Sequence, residues 1–416
     1  MIEVSPDIAF IKKLQSAAGS QITTCMQCGA CTASCSLSVD QDIFPRKQMI
    51  MAAWGMKDRL MADPNVWTCH QCGDCTVTCP RGVKPGEILA ALRQEQIAHY
   101  SKPVFLAQWM QKPAFLPAAL LFPVAIIILI LSLAGTFSIP EGPVDYSKFF
   151  PHGWLNGSFT ALFVLSTAGA IIGLRKFSRN VISLRSSDQT DGQSDHSSAS
   201  EGHSAQSDVP EGQIPESVSP EGQISQSASL EGQNAQSASP EGQVPQKSVL
   251  LRLVSVLGRI MRHRDFNSCG EQKSRSLTHF LVFWGFILLL FVTFFAILST
   301  IFFDYPLGFF NPIKVAGNTG AIMLFTGSTI MIINRFAKRN SLQSNYADWF
   351  FLFSFWLLTV SGILVEAARF LEWNSAYHIY FFHLVMVWII IIYYPYTKFA
   401  HFLYRTVAMI ITRSRY

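Results

Sequence analysis

Hydrophobic and polar positions divide this chain into unlike parts. Residues 1–100 are mixed, with short helical segments broken by two cysteine-rich runs. Beyond them come six apolar stretches, at about 114–138, 154–174, 277–303, 315–334, 349–366 and 377–402. Each is near the roughly 20 residues that a helix needs to cross a bilayer. The pattern predicts an all-α chain, a small head followed by a six-helix membrane bundle. Pro117 and Pro123 in the first stretch and Pro395 in the last are tolerated in membrane helices at the cost of a kink.

The connecting segments have their own patterns. Residues 101–113, SKPVFLAQWMQKP, mix Trp109 and apolar residues with lysines between prolines. They read as an interfacial approach to the bilayer, with a plain linker as the alternative. Between the second and third apolar stretches, Glu-Gly recurs at 201, 211, 221, 231 and 241 within Ser, Gln and Pro. Without a large apolar face this segment cannot offset the entropy of ordering, so residues 183–247 are expected to be a disordered tether. The expected organisation is therefore a head over 1–100, a linker over 101–113, membrane helices 1–2 within 114–176, the insert over 183–247, and membrane helices 3–6 within 277–404.

Half of the residues are hydrophobic and 14% are charged, and the net charge of +5 gives no reason to expect nucleic acid. The basic residues instead flank the apolar stretches. Arg175, Lys176, Arg179, Arg335, Lys338, Lys398 and Arg405 fall in segments that share one side with the head, and only Lys148, Lys314 and Arg369 fall on the other. That asymmetry predicts both termini on the cytoplasmic side of the inner membrane. The start of the chain, MIEVSPDIAFIKKL, has no apolar signal core, which agrees with a cytoplasmic head.

Eight of the nine cysteines form two runs, Cys25-x2-Cys28-x2-Cys31-x3-Cys35 and Cys69-x2-Cys72-x2-Cys75-x3-Cys79-Pro80. Three cysteines spaced by two residues wrap one cubane, and the fourth lies too far along and turns toward a second cluster. Two [4Fe–4S] clusters are expected, one on Cys25, Cys28, Cys31 and Cys79, the other on Cys69, Cys72, Cys75 and Cys35. Zinc is the competing reading, but a zinc ribbon uses two pairs of cysteines, whereas here two quartets repeat one spacing. Ser36 stands where the motif usually has proline. Cys269, apart from both runs, reads as an incidental thiol.

Histidines in or beside apolar stretches are costly and point to function. His383 and His401 are 18 residues apart in the last stretch, about five turns and ~27 Å along one helix face. Two levels of that kind suit two haems b. His279 opens the third stretch on the inner side and pairs with His401; His152 precedes the second on the outer side and pairs with His383, with His378 as its substitute. A histidine at a helix end can also be a plain interfacial residue. Glu366, Arg369, Tyr377 and His378 gather near the outer end, where they could exchange protons with a quinol or simply be solvated. No G-x-G-x-x-G opens a helix after a strand, so the sequence offers no nucleotide or flavin site.

With these elements in order, the chain resembles the QmoC family, membrane subunits of quinone-interacting membrane-bound oxidoreductase complexes. CMQCGACTASC and CHQCGDCTVTCP are similar to the C subunit of heterodisulfide reductase. LTHFLVFWGF and FFHLVMVWIIIIYYPYTKFAHFLYRT are similar to the gamma subunit of respiratory nitrate reductase and the E subunit of heterodisulfide reductase. Where the gamma subunit has a second histidine on its first histidine-bearing helix, this chain has Leu289. The resemblance implies a two-cluster ferredoxin-type domain fused to a cytochrome b. It further implies menaquinone as substrate, QmoA- and QmoB-like subunits bearing flavin and iron–sulfur clusters as partners, and electron flow linked to adenylylsulfate reductase. A heterodisulfide reductase-type or sulfite-reduction membrane complex is the nearer alternative, and a zinc-binding membrane anchor without redox activity the more distant one.

Overall fold

The computed structural model describes residues 5–38, 43–198, 249–262, 273–302, 308, 310–337 and 346–412. All regular elements among them are helical, as expected. The head contains α1 (Ile8–Ala18), α2 (Ala30–Ala33), α3 (Arg46–Ala53), α4 (Lys57–Met61), α5 (Asp74–Val77) and α6 (Pro85–Tyr100). Asp7 starts α1 by accepting the Phe10 N–H at 2.8 Å, and Gly19 ends it in the left-handed conformation. Phe10, Leu14 and Ala18 repeat at helical spacing along one face of α1. They share a core with Ile22, Leu60, Val66 and the α6 residues Ile88, Leu89 and Leu92. Cys25, Cys35, Cys69 and Cys79 lean on that core from outside. The Gln96 amide, fully buried, donates to the carbonyls of Leu60 at 2.7 Å and of Met61 and Asp63 at 3.1 Å, which ties the approach to the second cysteine run onto α6.

After the head come α7 (Val104–Trp109), α8 (Leu116–Ala134), α9 (Tyr146–Phe149), α10 (His152–Ser198), α11 (Val249–Met261), α12 (Lys273–Phe302), α13 (Pro312–Ala337), α14 (Tyr346–Phe370), α15 (Ala376–Tyr393) and α16 (His401–Ile411). Among the described residues six helices are long and apolar enough to cross a membrane, running from within α8, α10, α12, α13 and α14 to α15. Leu129, Leu133, Leu165, Phe291 and Phe294 stand exposed on them. Water would penalise such surfaces, and lipid removes the penalty.

Two helices depart from the expected boundaries. Helix α10 does not stop near residue 183 but runs on to Ser198, because no proline interrupts its hydrogen-bond ladder before Pro210. The rest of the low-complexity insert, 199–247, and Cys269 lie outside the described residues. The last apolar stretch, expected as one helix over 377–402, is broken. Helix α15 ends at Tyr393, 3-10 turns occupy Tyr394–Tyr396 and Lys398–Ala400, and α16 begins at His401. Pro395 lacks the N–H that a continuing helix needs, and Thr397 is extended.

The break is where the head docks. The Ser101 hydroxyl donates to the Pro395 carbonyl at 2.9 Å, and the Tyr396 hydroxyl to the Lys102 carbonyl at 2.6 Å. Trp67 stacks on Tyr404 with ring centroids 5.2 Å apart and planes 12° from parallel. Trp67, Tyr100, Phe177, Val181, Ala400, Tyr404 and Ala408 form a second core joining the head, α10 and α16. An aromatic pair of this kind contributes about 0.5–1.5 kcal/mol beyond its buried area.

Candidate functional site

The two cysteine runs fold as copies of one loop. In each, the glutamine before the second cysteine (Gln27, Gln71) and the glycine after it (Gly29, Gly73) have positive φ. That double reversal curls the loop, and the glycine then caps the short helix α2 or α5. The two helices lie side by side, with the Thr78 hydroxyl donating to that of Ser34 at 3.0 Å. This contact joins the segments that carry the fourth cysteines. As a result Cys79 lines the same cavity as Cys25, Cys28 and Cys31, together with Arg46, Met49 and Arg81.

Around the other run, Cys75 is the buried member. Burial, followed by the charges of Cys69, Cys72 and Cys35, pushes its thiol up to about 12. Cys35 of the first run therefore belongs electrostatically with the second. Burial first, then the charges of Cys25 and Cys28 among other causes, likewise raises the Cys31 thiol. Buried thiols crowded together resist ionising alone, and bound iron would supply the compensating charge. The Gln71 backbone N–H donates to the Cys69 sulfur at 3.3 Å, a bond of the kind that tunes cluster potentials. Among the described residues no group of three or more His, Cys, Asp and Glu side chains is placed to hold a single metal ion. The two quartets suit a cubane, whose four corners hold their cysteines further apart than one tetrahedral ion does.

In the membrane part, His279 on α12 and His401 at the start of α16 come together. Their ring centroids are 6.3 Å apart, with planes at 78°. That separation leaves space between the rings for a metal that both imidazoles could hold. The His401 Nδ1 donates to the Lys398 carbonyl at 2.6 Å, which leaves the Nε2 lone pair for a metal. These residues fit a bis-histidine haem.

His383 is held differently. Its Nδ1 shares a 3.0 Å hydrogen bond with the Ser361 hydroxyl, which itself donates to the Leu358 carbonyl at 3.0 Å. Nδ1 is thus the donor and Nε2 keeps its lone pair. The ring lies on Gly362, where an added Cβ would stand 3.1 Å from the His383 Cε1.

His383 faces α14, and its expected partner His152 opens α10. Phe159 packs edge-on against Trp388 at 5.8 Å, which sets the register of α10 against α15. His152, seven residues before Phe159, then lies within about 3 Å of the His383 level and on the face turned to α15. His383 is five residues before Trp388, about 140° round its helix, and points to α14 instead. His378, the substitute, is exposed.

At the end of the bundle away from the head, Glu366, Tyr377 and Tyr146 have structural partners. Glu366 pairs with Lys314 at 2.8 Å, the Tyr377 hydroxyl accepts the Asp145 N–H at 3.1 Å, and the Tyr146 hydroxyl donates to the Val365 carbonyl at 2.9 Å. At the inner end, buried Asp348 pairs with Lys398 at 2.6 Å and with Arg335 at 3.3 Å. Sequence reasoning gave Ser361, Gly362, Arg93 and Arg405 no part in any site. Arg405 carried only a topology signal, and the other three carried none.

Residues 21–83 match the family described as the 4Fe–4S dicluster domain. Over 89 residues the chain is 35% identical to the C subunit of an H(2):CoB-CoM heterodisulfide,ferredoxin reductase from Methanothermobacter marburgensis, and equally to the protein of the same name from Methanothermobacter thermautotrophicus. The matched part is 21% of this chain and 48% of each relative, so the chain spans about half the length of the curated relatives it matches. No solved structure matches it. Residues 21–83 are a 4Fe–4S dicluster domain, within a segment that is similar to those two proteins.

Proposed function

We propose that this chain is the membrane subunit of a quinone-linked complex of the QmoC type. It would carry single electrons between menaquinone in the cytoplasmic membrane and cytoplasmic QmoA- and QmoB-like partners, linked to adenylylsulfate reductase. Cys25, Cys28, Cys31 and Cys79 would hold one [4Fe–4S] cluster and Cys69, Cys72, Cys75 and Cys35 the other, with the head and both termini cytoplasmic. His279 and His401 would hold haem b at the inner level. His383 would be a ligand at the outer level, with His152 as its expected partner and His378 as the substitute. Bound haem b and cubanes supply one-electron chemistry, which divides the two electrons of a quinol into single steps.

The chain's own residues place and shield these sites. Lys398 and Ser361 fix the tautomers of His401 and His383, leaving Nε2 available. The Trp67–Tyr404 stack and the Ser101–Pro395 bond hold the head against the helix that begins with His401. The observation that carries the reading is the 6.3 Å approach of His279 to His401 directly beneath the docked dicluster head. The similarity of the head to the C subunit of a heterodisulfide reductase favours a second reading, in which the partner is a catalytic protein of the heterodisulfide reductase type. Co-purifying proteins separate the two.

The test is anaerobic purification from membranes, with iron, acid-labile sulfide and haem assays and dithionite-reduced minus oxidised spectra. About eight cluster irons and eight sulfides with at least one haem b per chain support the proposal. Clusters without haem would reduce the membrane part to an anchor and sink the quinone link. Zinc in place of iron would remove the redox function altogether.

A further inference from the structure

The two cysteine runs do not face the membrane part equally. His70, next to Cys69, meets Arg405 of α16: the Arg405 Nη2 lies 3.2 Å from the His70 Nδ1. A guanidinium only donates, so Nδ1 accepts, and the positive charge of the pair belongs to Arg405. Arg405 is one helical turn beyond His401 on α16. Arg93 also reaches the second run, donating to the Cys69 carbonyl at 3.4 Å and to the Gln71 side chain at 3.2 Å. Trp67, two residues before Cys69, stacks on Tyr404. Arg405 thus stands between His401 and the Cys69 loop, and Arg93 braces that loop from within the head.

The first run looks outward. Cys28 is exposed and Met26 is 66% exposed, and the arginines at its cavity, Arg46 and Arg81, belong to the head itself.

We infer that the second run, with Cys35, forms the membrane-side site of the head. Arg405 acts there as a positioning residue, setting the local potential through its contact with His70, while the first run, with Cys79, forms the solvent-side site that a partner protein reaches. The inference rests on the proposed function and adds an order to it. Reducing a cluster adds one negative charge, which a nearby fixed cation favours, so each arginine should raise the potential of the site it faces.

The test is an EPR-monitored redox titration of the full-length protein in detergent and of its variants. Arg405→Gln should lower the midpoint potential of one cluster and leave the other unmoved, whereas Arg405→Lys, which keeps the charge, should restore it. Arg81→Gln should lower the potential of the other cluster. In the unmodified protein, a water-soluble paramagnetic relaxer such as dysprosium–EDTA should quicken the relaxation of the cluster that Arg81→Gln shifts more than that of the other, which keeps the test open if Arg405→Gln fails to assemble. Shifts of the same cluster by both substitutions would overturn the inference, as would no shift by Arg405→Gln with iron and sulfide intact. Missing iron or haem in the unmodified protein would instead sink the proposed function.

Discussion

His279 and His401, from helices far apart in the chain, bring their imidazole centroids to 6.3 Å with planes at 78°. The approach depends on the break after Tyr393, since α16 starts at His401 itself instead of continuing the line of α15. A straight helix would have tied His401 to the direction of His383; the break frees it to turn toward α12.

Removing either partner of that pair should remove one haem and nothing else. His401→Ala or His279→Ala is expected to lower haem content by one per chain while the head keeps about eight irons and eight sulfides. Pyridine haemochrome and sulfide assays on one preparation check this. Full haem retention in both variants would show that the ligands lie elsewhere.

The crossing of the fourth cysteines makes a sharper forecast. Cys79→Ser should remove the same EPR signal as Cys28→Ser, although the two residues belong to different runs, and Cys35→Ser should act with Cys75→Ser. Each variant should retain about four irons. Pairing by run instead of by crossing would contradict the cavity that Cys79 shares with Cys25, Cys28 and Cys31.

A Cβ at Gly362 would stand 3.1 Å from the His383 Cε1, so that even the smallest side chain would make the imidazole give by a few tenths of an ångström. Gly362→Val must displace the imidazole or part α14 from α15, at a cost of about 1–3 kcal/mol. Thermal denaturation in detergent should show the loss, and any haem signal owed to His383 should change while that of His279/His401 persists. A haem content of two per chain that Gly362→Val leaves unperturbed would place the second haem away from His383.

Asp348, whose side chain is only 6% exposed, joins the partly exposed Lys398 and Arg335 in one cluster. Asp348→Asn leaves two cations facing a neutral amide; because both keep contact with solvent, the cost should stay below the about 3–5 kcal/mol of breaking a fully buried pair. Because Lys398 also offers its carbonyl to His401, the variant should loosen haem binding as well as lower the melting temperature. An unchanged melting temperature would mean that water or lipid headgroups already screen the cluster.

Acidification should weaken the head through His99. Its pKa lies below the usual histidine value of 6.5, first because of burial and then because of Lys176. The unfolded chain therefore takes up the proton first, and stability, complete above about pH 6.5, falls as the pH drops below that value. His99→Gln should flatten this part of the stability profile, as measured by denaturant titration at stepped pH; an unaltered slope would assign the acid sensitivity to other groups.

Some of this protein was legible from the residues alone. The all-helical class and the six membrane-length helices follow from the length and composition of apolar stretches, which act locally and need no partner. Two runs of C-x2-C-x2-C-x3-C identify a dicluster head because their short spacing is itself the geometry of ligation. The pairing of His279 with His401 was accessible too, since both sit at the same end of their stretches.

Rotation and breakage were not legible in the same way. His152 and His383 were matched by depth, which residue counting supplies, but His383 turns toward Ser361 and Gly362 because α14 packs there. Pro395 signalled a disturbance in the last stretch; that it becomes two 3-10 turns, clasped by Ser101 and Tyr396, depends on a head that docks from the far end of the chain. Arg405 read only as a cytoplasmic charge until α16 set it against His70. Sequence by itself determined what lies close along the chain: helix-forming stretches, ligand spacing and depth in the bilayer. Tertiary structure alone decided which faces meet, because helix rotation about its axis follows from the side chains of its neighbours.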